Sequence, residues 1–180
     1  MNEKSPDLVE RVRDERTMLK HIQMALPGYR GYRKQEDIRQ ADALVRQGLK
    51  AHITKARLIV EDARRAAAIG RDIQILERVA SLITTVSAAE TEIGHAQQGY
   101  SGRRQAVQVG EQELLDLIEY DTNLVNDAAA VVSSAQDLLR VVGQREPDFG
   151  TQASTFESVV AKFRGNVAAR EKIVLQLPGA

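Results

Sequence analysis

Apolar residues recur along this chain at alternating intervals of three and four positions, the spacing that places them on one face of an α-helix. No stretch alternates apolar and polar residues at period two over the length of a strand. The sequence therefore predicts an all-α fold for the single domain 1–180, an up-and-down bundle of about five long amphipathic, antiparallel helices with coiled-coil-like packing. The helices are expected at about residues 6–26, 34–69, 72–97, 111–143 and 152–177.

Polar residues interrupt several apolar faces of the predicted helices, beginning with Glu15 in the first. His52 lies in the second face, Asp121 in the fourth and Arg170 in the fifth. A histidine in such a position is more often hydrogen-bonded in or beside the core than bound to a metal. Asp121, together with Asp42 in the second helix, is interpreted as a boundary acid that pairs with an arginine or lies at a helix end.

Local signals indicate where two of the helices end or begin. Gly70 is expected to be the C-cap of the second helix, since glycine is common at helix C-termini. Ser154 and Glu157 have the spacing of a capping box, which predicts that the fifth helix begins near residue 152.

The composition argues against several kinds of site and partner. The chain has no cysteine, which excludes disulfides, thiolate metal sites and cysteine nucleophiles. Its 25 basic residues balance 25 acidic ones and only 4% of its residues are aromatic, so no nucleic-acid partner is expected. The apolar runs are too short for a transmembrane helix, and the segment from Met1 to Lys20 lacks the apolar region of a secretory signal. These features predict a cytoplasmic protein.

No catalytic or cofactor-binding arrangement is recognisable in the sequence. It contains no phosphate-binding loop, dinucleotide glycine fingerprint or nucleophile elbow. The Glu-x-x-His spacing of carboxylate-bridged metal bundles occurs once, at Glu92 and His95, where two copies would be needed. The sequence therefore predicts no enzymatic activity, no metal and no cofactor.

Two connections between predicted helices share an unusual composition. The first Gly-Tyr segment, residues 28–34, reads GYRGYRK, and the second Gly-Tyr segment, residues 99–104, reads GYSGRR. Tyrosine joins an apolar ring to a polar hydroxyl, and arginine supplies forked hydrogen-bond donors. In an up-and-down bundle both segments would emerge at one end and form a basic, tyrosine-bearing surface. The candidate partner-binding residues are Tyr29, Arg30, Tyr32, Arg33, Lys34, Tyr100, Arg103 and Arg104.

A purely structural interpretation of the two Gly-Tyr segments stands beside this functional one. Tyrosines at the end of a bundle can simply cover the last layer of the core, and glycines there can simply terminate helices. The sequence leaves both interpretations open.

The first Gly-Tyr segment and its surroundings resemble a motif of an uncharacterised family of bacterial helical proteins. The resemblance begins with LPGYRGYR at residues 26–33. It continues with four charged residues in the predicted second helix: Glu36, Asp37, Arg39 and Asp42.

A second part of the resemblance lies in the second Gly-Tyr segment and the helix after it. Residues 99–102 are followed by the pattern Leu-x-x-Leu-x-x-x-Asp at residues 114–121, so the resemblance covers about residues 20–140. The chain departs from the family at residues 103–105, where aromatic residues are usual, and at Gly110, where an acidic helix cap is usual. The family has no established activity. Its association with stomatin-like membrane scaffolds implies an accessory interaction role.

These observations lead to a primary functional hypothesis and two alternatives. The primary hypothesis is a non-enzymatic scaffold or interaction protein that binds a protein partner through the two Gly-Tyr segments or an exposed helix face. The first alternative is peripheral binding to an anionic membrane surface or a phosphate-bearing ligand through the same basic residues. The second is an enzyme with an unfamiliar site, which would need Asp42 and Asp121 close together in a polar pocket. A homo-oligomer, in which the fifth helix packs on a second copy, also stays open.

Overall fold

A computed structural model of the chain describes residues 17–26, 35–95 and 111–176. Helix α1 includes residues 17–25, and no strand occurs in the described ranges. The predicted all-α bundle is therefore confirmed. The other helices are α2 (Gln35–Gly70), α3 (Ile73–His95), α4 (Glu111–Gln144) and α5 (Phe149–Gln176).

Helix α2 packs against α3 and α4, and α5 packs against α4 and α3. Ion pairs between helices show their relative directions. Arg57 of α2 binds Glu90 of α3 at 2.9 Å, which fits two antiparallel helices joined by the short turn after Gly70. Lys162 of α5 binds Asp127 of α4 at 2.8 Å, and these two helices are antiparallel in the same way.

The bundle has two poles that differ in how the chain passes through them. Arg170, near the end of α5, binds Asp42, near the start of α2, so α5 runs antiparallel to α2 as well as to α4. Helices α2 and α4 are consequently parallel. We call the end that holds the turns 71–72 and 145–148 the turn pole. The loop pole is the opposite end, where the described helices have the terminal residues Gln35, Glu111 and Gln176.

The core follows the apolar faces predicted from the sequence, with a small rotation in α2. Ile53 and Val60 are fully buried, whereas His52 is half-buried beside them. In α4 the fully or almost fully buried line includes Leu117, Leu124 and Leu138. A rotation of this size is expected because 3.6 residues per turn let two neighbouring heptad lines share one face.

The start of α5 corrects the expected capping box at Ser154. Helix α5 begins at Phe149, and the Ser154 hydroxyl donates a hydrogen bond of 3.1 Å to the carbonyl of Gly150, four residues earlier. Ser154 therefore lies inside the helix. The Ser-x-x-Glu spacing also occurs within helices, so it did not identify a helix start here.

The end of α2 confirms Gly70 as the C-cap of this helix, and the residue after it adopts the left-handed conformation. The left-handed residue is Arg71, with φ of 57°, while Gly70 is the last helical residue. The N–H of Arg71 bonds the carbonyl of Ala68 at 3.1 Å, and the N–H of Asp72 bonds that of Ala67 at 3.3 Å. These two bonds form a Schellman motif that satisfies the last carbonyls of the helix.

Helix α1 is anchored on α2 by a close approach at a glycine. Ile22 and Leu26 are buried in the common core. The Cδ2 atom of Leu26 occupies the space in which a Cβ at position 48 would stand, so any larger residue there would force the buried Leu26 side chain to shift. Among the described residues, no helix combines the length and the apolar character needed to cross a membrane.

Candidate functional site

Four buried charged side chains join three helices below the loop pole. Asp42 accepts hydrogen bonds from Nε of Arg46 at 2.8 Å and from Nη1 of Arg170 at 2.5 Å. Nε of Arg170 also donates to Asp121 at 2.5 Å. We call Asp42, Arg46, Asp121 and Arg170 the buried ion cluster. In it, Arg170 of α5 connects acids of α2 and α4.

The buried ion cluster is balanced in charge and almost completely shielded from water. Asp121 is 0% exposed and Arg170 is 3% exposed. Two acids and two arginines compensate one another, which such burial requires. A cluster of this kind contributes little net stability over an apolar core, but losing one member leaves an uncompensated charge. It therefore restricts how α2, α4 and α5 can pack at this level.

The sequence-based interpretation of the two acids is partly confirmed. Asp42 and Asp121 do pair with arginine, as expected, but Asp121 lies in the core rather than at its boundary. Their common partner was not identified from the sequence. The available signal was that Arg170 interrupts the apolar face of α5, where an unpaired arginine would be unfavourable.

The buried ion cluster also bears on the enzyme alternative. Asp42 and Asp121 are brought together, but through the guanidinium of Arg170, and both carboxylates accept hydrogen bonds from it. This arrangement is typical of a structural ion-pair network. Among the described residues no group of three or more His, Asp or Glu side chains could hold a metal ion.

The candidate partner-binding residues themselves lie outside the described residues. They are Tyr29, Arg30, Tyr32, Arg33, Lys34, Tyr100, Arg103 and Arg104. Their role stays a prediction, but the structure does place the helices to which the two Gly-Tyr segments are joined.

The helices that follow the two Gly-Tyr segments in the chain both begin at the loop pole. The first segment precedes Gln35 of α2 and the second precedes Glu111 of α4, and both residues lie at the loop pole. Asp42 and Asp121 follow these starts by about 10 Å and 15 Å along the helix axis, at 1.5 Å per residue. The buried ion cluster therefore holds together the two helices that follow the Gly-Tyr segments in the chain.

The helices that precede the two Gly-Tyr segments, α1 and α3, both end before they reach the loop pole. Leu26 contacts Gly48, about 20 Å along α2 from Gln35 at 1.5 Å per residue. Glu90 of α3 contacts Thr54 and Arg57 of α2, so the end of α3 lies close to the same level of α2. Each Gly-Tyr segment thus follows a helix, α1 or α3, that ends beside the part of α2 near Gly48.

A second polar network joins α2 and α3 nearer the middle of the bundle. Glu90 accepts hydrogen bonds from the Thr54 hydroxyl at 2.6 Å and from Arg57 at 2.9 Å. The hydrogen bond from Thr54, helped by Arg57, lowers the pKa of the Glu90 carboxyl below its ordinary value. Bonding to Glu90 raises the pKa of Arg57. This half-buried network is an additional link between the two helices.

His52 has the role that the sequence favoured. It is half-buried, and its Nδ1 lies 2.9 Å from the carbonyl oxygen of Gly48, to which it donates a hydrogen bond. This is the hydrogen-bonded position beside the core that the sequence favoured for this residue.

Comparison with known proteins adds no relative to this description, since no protein-family model, no curated protein and no solved structure matches the chain. The resemblance noted from the two Gly-Tyr segments therefore stays an expectation. What can be inferred about function depends on the chain's own residues and on their arrangement around the loop pole.

Proposed function

We propose that this protein is a non-enzymatic helical-bundle scaffold that binds a protein partner through the two Gly-Tyr segments, which precede helices that begin at the loop pole. The main support is the position of Gln35 and Glu111, which begin two parallel helices packed side by side. The residues that follow the two segments are therefore neighbours in the bundle, although they are far apart in sequence.

The composition of the two segments suits contact with a protein. Tyrosine and arginine are enriched in protein–protein interfaces because they bury large areas and still satisfy hydrogen bonds. Each segment combines glycine, tyrosine and basic side chains. A partner surface that offers carboxylates between apolar patches would match them.

The buried ion cluster supports the same proposal through its effect on the underlying helices. Because Arg170 bonds both Asp42 and Asp121, the starts of α2 and α4 are held to the end of α5. Binding groups carried on well-positioned elements lose less conformational entropy when a partner binds. We infer that the cluster provides a stable base for the two segments.

Site-specific photo-crosslinking tests the proposal at both segments. A photoreactive phenylalanine analogue replaces Tyr29 in one variant and Tyr100 in another, and Leu58, which is 49% exposed on α2, serves as the control position. We expect positions 29 and 100 to capture the same protein in cells and position 58 not to capture it. Different proteins at the two positions would contradict a common surface, and capture of the chain itself would indicate a homo-oligomer.

Charge reversal shows whether the basic residues take part. The double variant Arg33→Glu with Arg103→Glu should abolish capture without lowering the melting temperature. A matched variant, Arg64→Glu with Arg71→Glu, changes the net charge equally at the other end of the bundle and should preserve capture. If both double variants capture the partner as the wild type does, the interaction surface lies elsewhere.

The alternative function, favoured by the five basic residues of the two segments, is peripheral binding of a cytoplasmic protein to an anionic membrane. Each basic residue near such a surface contributes about 1 kcal/mol at low salt. Vesicles with and without phosphatidylserine distinguish this alternative in a co-sedimentation assay. Salt-sensitive binding to the anionic vesicles that Arg33→Glu with Arg103→Glu removes, without a captured protein, would replace the protein-partner proposal.

A further inference from the structure

A groove of about 700 Å³ opens at the turn pole, between the end of α2 and the end of α4. Its apolar lining includes Ile75, Val142 and Phe149. Ile69 also lines the groove and is 82% exposed, and the nearby Ile73 is 69% exposed. The size and the apolar walls fall within the range of sites that bind ligands or partner side chains.

We call this the turn-pole groove. Among the described residues, its two carboxylates accept hydrogen bonds, whereas its arginine makes none. Asp72 accepts a hydrogen bond of 3.0 Å from the backbone N–H of Ile75, and Glu146 accepts one from Arg140. Arg145 makes no ion pair and no side-chain hydrogen bond with any other residue that the structure describes. The positive group that lines the groove is therefore available to a ligand.

Arg145 also has an unusual backbone conformation for an arginine. Its φ is 55°, in the left-handed region that glycine enters without a steric penalty. It closes α4 with a Schellman motif, in which its N–H bonds the carbonyl of Val142 at 3.3 Å. The turn itself needs no side chain at this position.

The side chain of Arg145 extends toward the other turn of the pole. Its Nη2 atom lies 3.7 Å from the point where a Cβ on Gly70 would stand, at the end of α2. The guanidinium therefore reaches from α4 across to α2, next to the apolar lining of the groove.

We propose that the turn-pole groove binds a segment of a partner protein that presents an apolar side chain beside a carboxylate. The apolar side chain fits the walls formed by Ile75, Val142 and Phe149. The carboxylate fits the guanidinium of Arg145, since arginine and carboxylate form paired, charge-assisted hydrogen bonds. This proposal is independent of the function proposed for the Gly-Tyr segments, because the helices that follow those segments begin at the opposite pole.

Two glycine substitutions form a matched pair for testing the charge. Arg145→Gly removes the guanidinium that lines the groove, whereas Arg71→Gly removes one from the other left-handed position, which does not line it. Glycine suits both backbone conformations, so neither variant should fail to fold. A difference in binding between them thus reports the contribution of Arg145.

A third substitution tests the apolar part of the groove. Gly143 lines it, and a Cβ added there would meet no atom within 4 Å. Gly143→Leu therefore introduces an apolar side chain at the groove without a backbone clash, and leucine favours the helix over glycine.

The experiment selects random peptides displayed on phage against the wild-type protein and measures the enriched peptides by fluorescence anisotropy. We expect an enriched pattern with Asp or Glu next to Leu, Ile or Phe. Arg145→Gly and Gly143→Leu should weaken binding by about tenfold or more, and Arg71→Gly should leave it unchanged. Peptides without an acidic residue, or equal weakening by the two glycine variants, would overturn the proposal. So would a concentration-dependent dimer that Gly143→Leu dissociates, because the occupant would then be a second copy.

Discussion

The two poles of the bundle are closed by different kinds of interaction. At the turn pole, backbone hydrogen bonds between neighbouring residues end α2 and α4, as with the bond of 3.0 Å from the N–H of Glu146 to the carbonyl of Val141. At the loop pole, the buried ion cluster joins residues from three helices, and Asp42 and Arg170 are 128 positions apart. One pole depends on local sequence and the other on the assembled fold.

This difference explains what each pole can tolerate. A Schellman motif satisfies the helix end by itself, so the side chains around it remain available for binding. The buried ion cluster has no such freedom, because each of its charges requires its partners. We therefore expect substitutions in the buried ion cluster to affect the whole fold and substitutions at the turn pole to act locally.

The largest expected effect comes from Arg170→Met in the buried ion cluster. Removing the guanidinium leaves Asp42 and Asp121 short of compensation in the core, which should lower the free energy of unfolding by about 3–5 kcal/mol. Urea unfolding followed by circular dichroism measures the change. The matched control is Arg164→Met, which breaks the exposed pair with Glu92 and should cost about 0–1 kcal/mol. Equal losses for the two variants would show that the cluster does not constrain the fold.

The next largest effect on stability is expected at the contact between Leu26 of α1 and Gly48 of α2. Helix α1 precedes the first Gly-Tyr segment. Gly48→Ala places a methyl group where Leu26 lies and should destabilise the protein by about 1–3 kcal/mol. Gly165→Ala is the control, because a Cβ there meets no atom within 4 Å, and it should stabilise by about 1 kcal/mol.

A double variant makes the Gly48 prediction specific to its contact. In a protein that already carries Leu26→Ala, Gly48→Ala should no longer destabilise, because the two groups do not compete for the same space. Thermal unfolding of the four proteins gives the coupling free energy. A coupling of zero would contradict the contact between Leu26 and Gly48.

At the turn pole the expected effect is smaller and opposite in sign. Arg71→Gly and Arg145→Gly should each raise the free energy of unfolding by about 1 kcal/mol, because glycine enters the left-handed region without the steric cost of a Cβ. Arg64→Gly, within α2, should lower it by about 1 kcal/mol, because glycine weakens a helix interior. Chemical denaturation of all three variants measures these changes. Losses at Arg71 or Arg145 would indicate side-chain contacts that outweigh the backbone term.

The smallest effect is a pH dependence from the network between α2 and α3. Because the pKa of Glu90 is lowered in the folded protein, its stabilisation is complete above the ordinary value of 4.5 and is lost as pH falls through the folded pKa. Thr54→Val removes the hydrogen bond that lowers the pKa of Glu90 most, so it should reduce the loss of stability as the pH falls. Thr84→Val, whose hydroxyl bonds only its own helix among the described contacts, should leave the profile unchanged. Thermal melts between neutral pH and pH 4 or below provide the comparison.

The sequence predicted the elements of the fold well because helix formation is encoded locally. The face of α3 from Val79 to Ile93 repeats every three or four residues, and the structure buries it as expected. The errors lie at helix ends. Ser154 formed no cap and α5 begins a few residues earlier than expected, because a helix start depends on a few competing hydrogen bonds.

The candidate sites were predicted less completely. The composition of the two Gly-Tyr segments is readable in the sequence, whereas the pairing of Arg170 with Asp42 and Asp121 was not. The groove at the turn pole was also missed, since its lining comes from several helix ends whose separation no local pattern encodes.

By itself, then, the sequence determined that the chain forms long amphipathic helices and where it turns back at the two described turns, residues 71–72 and 145–148. Only the tertiary structure decided which charges share the core and which guanidinium is left to line a groove. The physical reason is range: helical periodicity acts over about one or two turns of chain, whereas a buried ion pair is stable only after distant helices have excluded water from it.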